Sequence, residues 1–190
     1  MSGALAYDNL PRVLDAESLH RATVRLAHEI AEHHDGGDGL LLAGIRTRGV
    51  PLAERVATAL RAIGWDAAEV CAVDVAGFRD DRPHPAAPHA SAVTDGNGGA
   101  VQVTARTVVL VDDVLFTGRT VRAAMDALVA QGRPGVVEVL ALIDRGHREL
   151  PVRATYVGKN VPTSECDRVR VRLREVDGVD GAWLVPGATP

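Results

Sequence analysis

Residues 108–120, VVLVDDVLFTGRT, constrain this chain more than any other stretch. Val108, Val109, Leu110 and Val111 form an unbroken apolar run, the pattern of a strand covered on both faces. Such strands belong to parallel sheets with helices on either side. Asp112 and Asp113 follow at the carboxyl end, which is where open α/β sheets bind ligands. Val114, Leu115, Phe116, Thr117, Gly118, Arg119 and Thr120 then lead through a short turn into an apolar helix. Small residues at a helix start leave outward-pointing N–H groups, and the helix dipole adds to their pull on an anion. Two acids do not bind a phosphate, but they accept hydrogen bonds from the vicinal hydroxyls of a sugar. A ligand with a ribose diol and a 5′-phosphate satisfies both halves of the stretch.

The remaining segments supply the same alternation. Residues 15–34 read as a helix capped by Asp15, with Leu19, Thr23, Leu26 and Ile30 on one face and residues 35–37 as its stop. Residues 40–45 are a second buried strand, followed by Arg46, Thr47, Arg48 and Gly49 and a helix opened by Pro51. A strand, a tight basic loop and a helix make an anion site, and the fork of Arg48 suits a diphosphate. Residues 68–76 read as a third strand, 121–131 as a helix ended by Gly132 and Pro134, and 136–143 as another strand. Strands alternating with helices predict a single α/β domain over residues 1–190, a central parallel sheet flanked by helices. Residues 82–99 carry three prolines and little to bury. They read as part of a mobile lid over about 77–103, contributed by both ends of a hairpin.

Composition excludes several classes. No apolar run is long enough for a membrane helix, and no basic start precedes an apolar core as in a secretory signal. Cys71 and Cys166 lack metal-ligand spacing and read as reduced residues of a cytoplasmic protein. The net charge is −4, yet its distribution is uneven. Residues 145–174 hold seven arginines and Lys159, the single lysine, against three acids, a local +5. Residues 156–164 read as a polar loop. Arg168, Arg170, Arg172 and Arg174 alternate with Val169, Val171 and Leu173, so a strand there faces arginines to one side. A basic tail on an acidic body is an electrostatic footprint for a polyanion, with a charged, aggregation-resistant edge strand as the equal alternative for the stripe alone.

The motif at 108–120 resembles the phosphoribosyl pyrophosphate (PRPP) motif of type I phosphoribosyltransferases. Together with GIRTRGVPLAERV, DVAGFRDD, DRGHRELPVRATYVGKNVPTS and the helix after the motif, it narrows the resemblance to the PyrR family. These are pyrimidine operon regulators that double as uracil phosphoribosyltransferases. The similarity runs from Leu14 to Asp177. Residues 76–78 read Ala-Gly-Phe where the family's lid reads Thr-Leu-Tyr, so a tyrosine hydroxyl is missing at Phe78. Val24 lacks a hydroxyl that some relatives carry, and the arginine stripe is more basic than theirs.

The resemblance implies a type I phosphoribosyltransferase fold with a small hood over about 144–185. It implies conversion of uracil and PRPP to UMP and pyrophosphate, with Mg²⁺ bound alongside PRPP. Asp112 and Asp113 would hold the ribose diol and lie near the metal, directly or through water or PRPP. Residues 115–120 would hold the 5′-phosphate, and Thr47, Arg48 and Gly49 the diphosphate. Asp112, Asp113, Arg48 and Arg79 are the catalytic candidates, Arg79 as a clamp on the lid. Backbone groups around Lys159, Asn160 and Val161 would read uracil. His28, Arg145, His147, Arg148, Arg153, Lys159, Arg168, Arg170 and Arg172 are the candidates for RNA contact. The implied partners are PRPP, uracil, UMP and UTP, a pyrimidine operon leader mRNA, and further copies in a homodimer or homotetramer. The alternatives are an RNA-binding regulator with little catalysis and a phosphoribosyltransferase for another base, such as hypoxanthine.

Overall fold

The computed structural model describes residues 7, 9–34, 39–66, 68–78 and 92–187. Residues 79–91 of the tract expected as a lid, Arg79 among them, and the helix stop at 35–37 lie outside the described residues. In chain order the elements are β1 (Arg12–Leu14), α1 (Ala16–His33), β2 (Leu40–Ile45), α2 (Gly49–Ala62), β3 (Glu69–Val73), β4 (Val93–Thr94) and β5 (Thr107–Leu115). There follow α3 (Arg119–Gln131), β6 (Val136–Asp144), β7 (Tyr156–Asn160), β8 (Arg168–Arg172), α4 (Arg174–Asp177) and β9 (Gly181–Val185).

The larger sheet has the order β4-β3-β2-β5-β6-β7, with β4 antiparallel to β3 and every other pair parallel. Side chains alternate between its two faces. Leu40, Leu42, Val109, Val111 and Leu140 pack with α1 and α2, whereas Leu41, Ala43, Val108, Leu110, Val139 and Ala141 pack with α3. Both faces are therefore covered, which accounts for the continuous apolar runs of β2 and β5. From β2 the chain crosses over α2 to β3 on one side, and from β5 over α3 to β6 on the other. The strand order thus reverses between β2 and β5, leaving a crevice at their carboxyl ends.

β1, β9 and β8 form a second, antiparallel sheet with β9 in the middle. Leu14, Val171, Leu173 and Ala182 turn inward from it and join the core on the α1–α2 side. The arginine stripe alternates as the sequence predicts. Arg168 and Arg170 are exposed, Val171 is buried, and Arg172 lies over the Tyr7 ring, 4.2 Å from its centroid.

α2 opens at Gly49, two residues before the expected Pro51, and β8 ends at Arg172, leaving Arg174 to start α4. Four further boundaries differ from the sequence reading, each for a local reason. β5 does not stop before the acid pair but runs on to Leu115, because β6 keeps pairing with it through Asp112↔Ala141 and Leu115↔Asp144 after β2 has ended. β3 stops at Val73, where Asp74 turns the chain by accepting the Ala76 N–H at 2.9 Å. The final part of the tract at 82–99 is regular structure. Asp95 Oδ1 accepts the N–H groups of Asn97 and Gly99, closing a turn after β4, and Val93 is fully buried. Residues 156–160, read as loop, form β7 at the sheet edge. There Gly158 lets the backbone approach Leu142 so closely that a Cβ would lie 2.4 Å from its carbonyl oxygen.

Candidate active site

The crevice opens where β2 leaves β5. Its last β2–β5 register pair is Gly44↔Val111, so Asp112 and Asp113 have β6 on one side and the β2–α2 loop on the other. Asp112 is buried and Asp113 partly so, and the Asp113 N–H donates to Asp112 Oδ1 at 2.9 Å. Burial, then the charge of Asp113, pushes the Asp112 carboxyl well above the usual carboxylate range. Burial also raises Asp113, and the nearby Arg48 guanidinium opposes that shift. Two adjoining acids that are costly to ionise when empty are suited to a ligand that brings hydroxyl donors and a cation.

Gly49 sets the spacing between loop and acids. A Cβ there would sit 2.2 Å from the Val111 carbonyl oxygen, one residue before the pair. Across the same contact, a Cβ on Gly44 would lie 2.5 Å from Val50 Cα. The two glycines bring Thr47 and Arg48 against β5. Arg48 does not stand alone: its Nε and Nη2 donate to Asp177 at 3.0 and 2.8 Å. That hydrogen bond raises Arg48 above its ordinary value. Partial burial pushes Asp177 up, but hydrogen bonds from Arg48 and from the Leu173 N–H outweigh it and hold the carboxyl low.

The loop after β5 is an amide cradle. Phe116, Thr117 and Gly118 N–H groups have no hydrogen-bond partner among the described residues. Gly118, at φ +91°, caps α3 and accepts the Arg122 N–H. Carbonyls of this loop are held from behind by residues 144–150. The Arg145 N–H donates to Leu115 O, and the Glu149 and Leu150 N–H groups to Thr117 O. Arg148 Nη1 donates to Phe116 O at 2.7 Å, while its Nη2 pairs with Asp144. With its carbonyls turned away and anchored, the loop presents amides to the crevice, an arrangement that suits a phosphate.

A family model for the "Phosphoribosyl transferase domain" matches residues 12–170. The chain is 50% identical over 180 residues to the Bifunctional protein PyrR of Chloroflexus aurantiacus, covering 95% of this chain and 97% of that protein. It is likewise 50% identical to the PyrR of Roseiflexus sp., over 92% of this chain and 94% of that one. The chain belongs to the PyrR family. Among solved structures, a hypoxanthine phosphoribosyltransferase from Staphylococcus aureus superposes with a TM-score of 0.69 at 17% identity, over 98% of this chain and 97% of that one. At that identity the likeness concerns the type I phosphoribosyltransferase fold alone.

In this PyrR-family chain the crevice brings together Thr47, Arg48, Gly49, Asp112, Asp113 and residues 115–120 from separate segments. Lys159, Asn160 and Val161 close the carboxyl end of β7, where Val161 N–H donates to Asp144 O at 2.8 Å. Lys159 Nζ is tied to Val13 O at 2.9 Å. The surface cations divide. His28, Arg153, Arg168 and Arg170 are exposed. Arg145 is not a surface cation: it is 5% exposed, its guanidinium lying 3.9 Å from the Phe116 ring centroid and donating to Thr163 Oγ1, Ser164 O and Glu165 O. Arg148 is likewise turned inward onto four carbonyls and Asp144, and His147 Nε2 meets Thr163 O at 2.6 Å. Arg145 is thus an internal brace, whereas Arg148 and His147 are half-buried and engaged within the chain. The reading missed Asp177, whose only sequence signal is an acid in a short polar segment far from the loop it touches.

Proposed function

We propose that this chain catalyses transfer of the phosphoribosyl group from PRPP to uracil, yielding UMP and pyrophosphate, and that it regulates pyrimidine genes by uridine-nucleotide-dependent binding to mRNA. The observation that carries the catalytic reading is the pairing, at the switch point of the sheet, of two adjoining acids with three partnerless amides on the next turn. Asp112 and Asp113 accept hydrogen bonds from the ribose hydroxyls, and the amides of residues 116–118 hold the 5′-phosphate. Thr47, Arg48 and Gly49 hold the diphosphate, and the end of β7 reads the base.

Uracil N1 bonds to C1′ as the C1′–O bond to pyrophosphate breaks, its electron pair leaving with the diphosphate. The N1 proton passes to solvent. Positive charge gathers on the ribosyl ring in the transition state, so the chain's task is positioning and electrostatics. Asp113 lies where that charge develops, and Arg48 where the leaving group gains its own. No cluster of three or more His, Cys, Asp or Glu able to hold a metal occurs among the described residues. Asp112 and Asp113 would hold an Mg²⁺ brought in with PRPP, directly or through water. When bound, Mg²⁺ neutralises charge on the diphosphate.

The exposed Arg168 and Arg170, which alternate with the inward-turned Val169 and Val171, favour the RNA role. No helix among the described residues is long and apolar enough to cross a membrane. A cytoplasmic homodimer or homotetramer completes the proposal. The test is formation of UMP from uracil and PRPP with Mg²⁺, run beside a panel of other bases. No UMP from pure protein rejects the enzyme, and preference for a purine rejects uracil. Filter binding of a pyrimidine operon leader, with and without UMP, tests the regulator on the same preparation.

A further inference from the structure

Arg48 uses only one edge of its guanidinium in its pair with Asp177. Nε and Nη2 donate to the two carboxylate oxygens at 3.0 and 2.8 Å, and Nη1 has no partner among the described residues. Asp177 is fixed independently of Arg48. Its Oδ2 accepts the Leu173 N–H at 3.0 Å, and its own N–H donates to Leu173 O at 2.7 Å. The segment that carries it is moored a second time. Arg55, two turns along α2, donates to Glu175 at 2.8 and 2.6 Å and to Asp180 at 2.6 Å. On its other side, Arg48 stands within electrostatic reach of Asp113.

We propose that Asp177 is a positioning residue for the diphosphate site, holding Arg48 along one edge so that the opposite edge, with Nη1, faces the diphosphate beside Asp113. This rests on the assignment of Arg48 to the diphosphate. A long side chain ordered only on binding loses rotamer freedom at that moment, and one held beforehand does not. A guanidinium held side-on by a carboxylate still offers two parallel N–H groups to a second anion. The charge of Asp177 acts the other way, since an uncompensated cation attracts an anion more strongly. A positioning carboxylate and a competing one therefore have opposite signs when removed.

The experiment is calorimetric titration of inorganic pyrophosphate with Mg²⁺ into the full chain. It uses wild type, Asp177→Asn, Asp177→Ala and Arg48→Ala, with the KM for PRPP and the kcat of UMP synthesis measured alongside. The expected result is about tenfold weaker pyrophosphate binding in Asp177→Ala. Asp177→Asn, which keeps one acceptor, falls between, and the KM for PRPP rises more than kcat falls. Affinity equal to or tighter than wild type in both Asp177 variants overturns the proposal. A lower melting temperature with unchanged pyrophosphate affinity also overturns it, since that is a purely structural ion pair. Unchanged affinity in Arg48→Ala removes the assignment on which it stands. Absence of UMP from wild type, with the pyrophosphate responses intact, counts against the transferase reading and leaves the role of Asp177 standing.

Discussion

Gly49 Cα faces the carbonyl oxygen of Val111 so closely that a single added carbon would fall 2.2 Å from it. The start of α2 and the strand bearing the acids thus touch backbone to backbone. Gly49→Ala must force them apart, because backbone on both sides has little room to yield. We expect a loss of about 1–3 kcal/mol of stability and, from the displaced loop, about a 100-fold fall in kcat/KM for PRPP. Urea unfolding and steady-state kinetics measure the two. A variant with wild-type kinetics would show that the contact does not set the site.

Asp112 carries a pH dependence whose direction follows from its surroundings. Burial, and after it the charge of Asp113, raises its folded value well above the usual range. The unfolded value stays near the ordinary carboxylate one, about 3.9. Between the two, the folded chain keeps a proton that the unfolded chain has released, so stability falls as pH rises through that window. Asp112→Asn removes the effect. Its melting temperature should match wild type near pH 4 and exceed it by about 2–4 °C above the window, the shift made by roughly 1 kcal/mol in a chain of this size. Thermal melts across pH check this, and a variant less stable than wild type at neutral pH would refute it.

Asp113→Asn separates catalysis from folding, because the two side chains are nearly equal in size. We expect kcat/KM to fall by about 10²–10³ with a melting temperature close to wild type. Near-normal turnover in that variant would remove Asp113 from its assigned role.

Arg145 predicts the reverse balance. Its guanidinium stacks on Phe116 and satisfies Thr163, Ser164 and Glu165 in a site that is 5% exposed. Arg145→Ala leaves those acceptors without a donor, at a cost of about 2–4 kcal/mol in urea unfolding. Arg145→Lys should recover little, having neither the planar face nor the fork. Full recovery by lysine would show that charge alone matters there.

Arg168 and Arg170 test the RNA reading. Changing each to Gln should weaken leader RNA binding and reduce the slope of log affinity against log salt by about 1 per residue. Filter binding across a salt series measures this. An unchanged slope would make the stripe an edge guard alone.

Local chemistry made much of this molecule readable from its residues. Val108–Val111 and Leu40–Ile45 are apolar on both faces because helices cover both, and Asp15 caps α1 as its side chain dictates. The acids, the basic loop and the turn at Phe116–Gly118 were visible because each lies within one strand–loop–helix junction. Partners distant in sequence were not visible. Asp177 meets Arg48 from 129 positions away, and Arg145 looked like a surface cation until Phe116 and the Thr163 loop enclosed it. β7 was hidden because Gly158 and Asn160 have poor strand propensity, which pairing with β6 overrides. Residues 95–99, Asp-Gly-Asn-Gly-Gly, carry a turn signature, whereas the three prolines before them and the scarcity of residues to bury point to a mobile lid over the whole tract.

The middle strand of the small sheet, Gly181–Val185, is the last of the strands in the chain, whereas one of its neighbours, Arg12–Leu14, is the first. A ribosome therefore delivers one outer strand, Arg12–Leu14, long before the piece that joins it to the other, Arg168–Arg172. The ligand crevice of the large sheet has all its strands by residue 160, while the arginine-bearing ribbon waits for the final stretch of synthesis. In order of birth, the strands that frame the crevice precede both the arginine ribbon and Asp177, the carboxylate that pairs with Arg48.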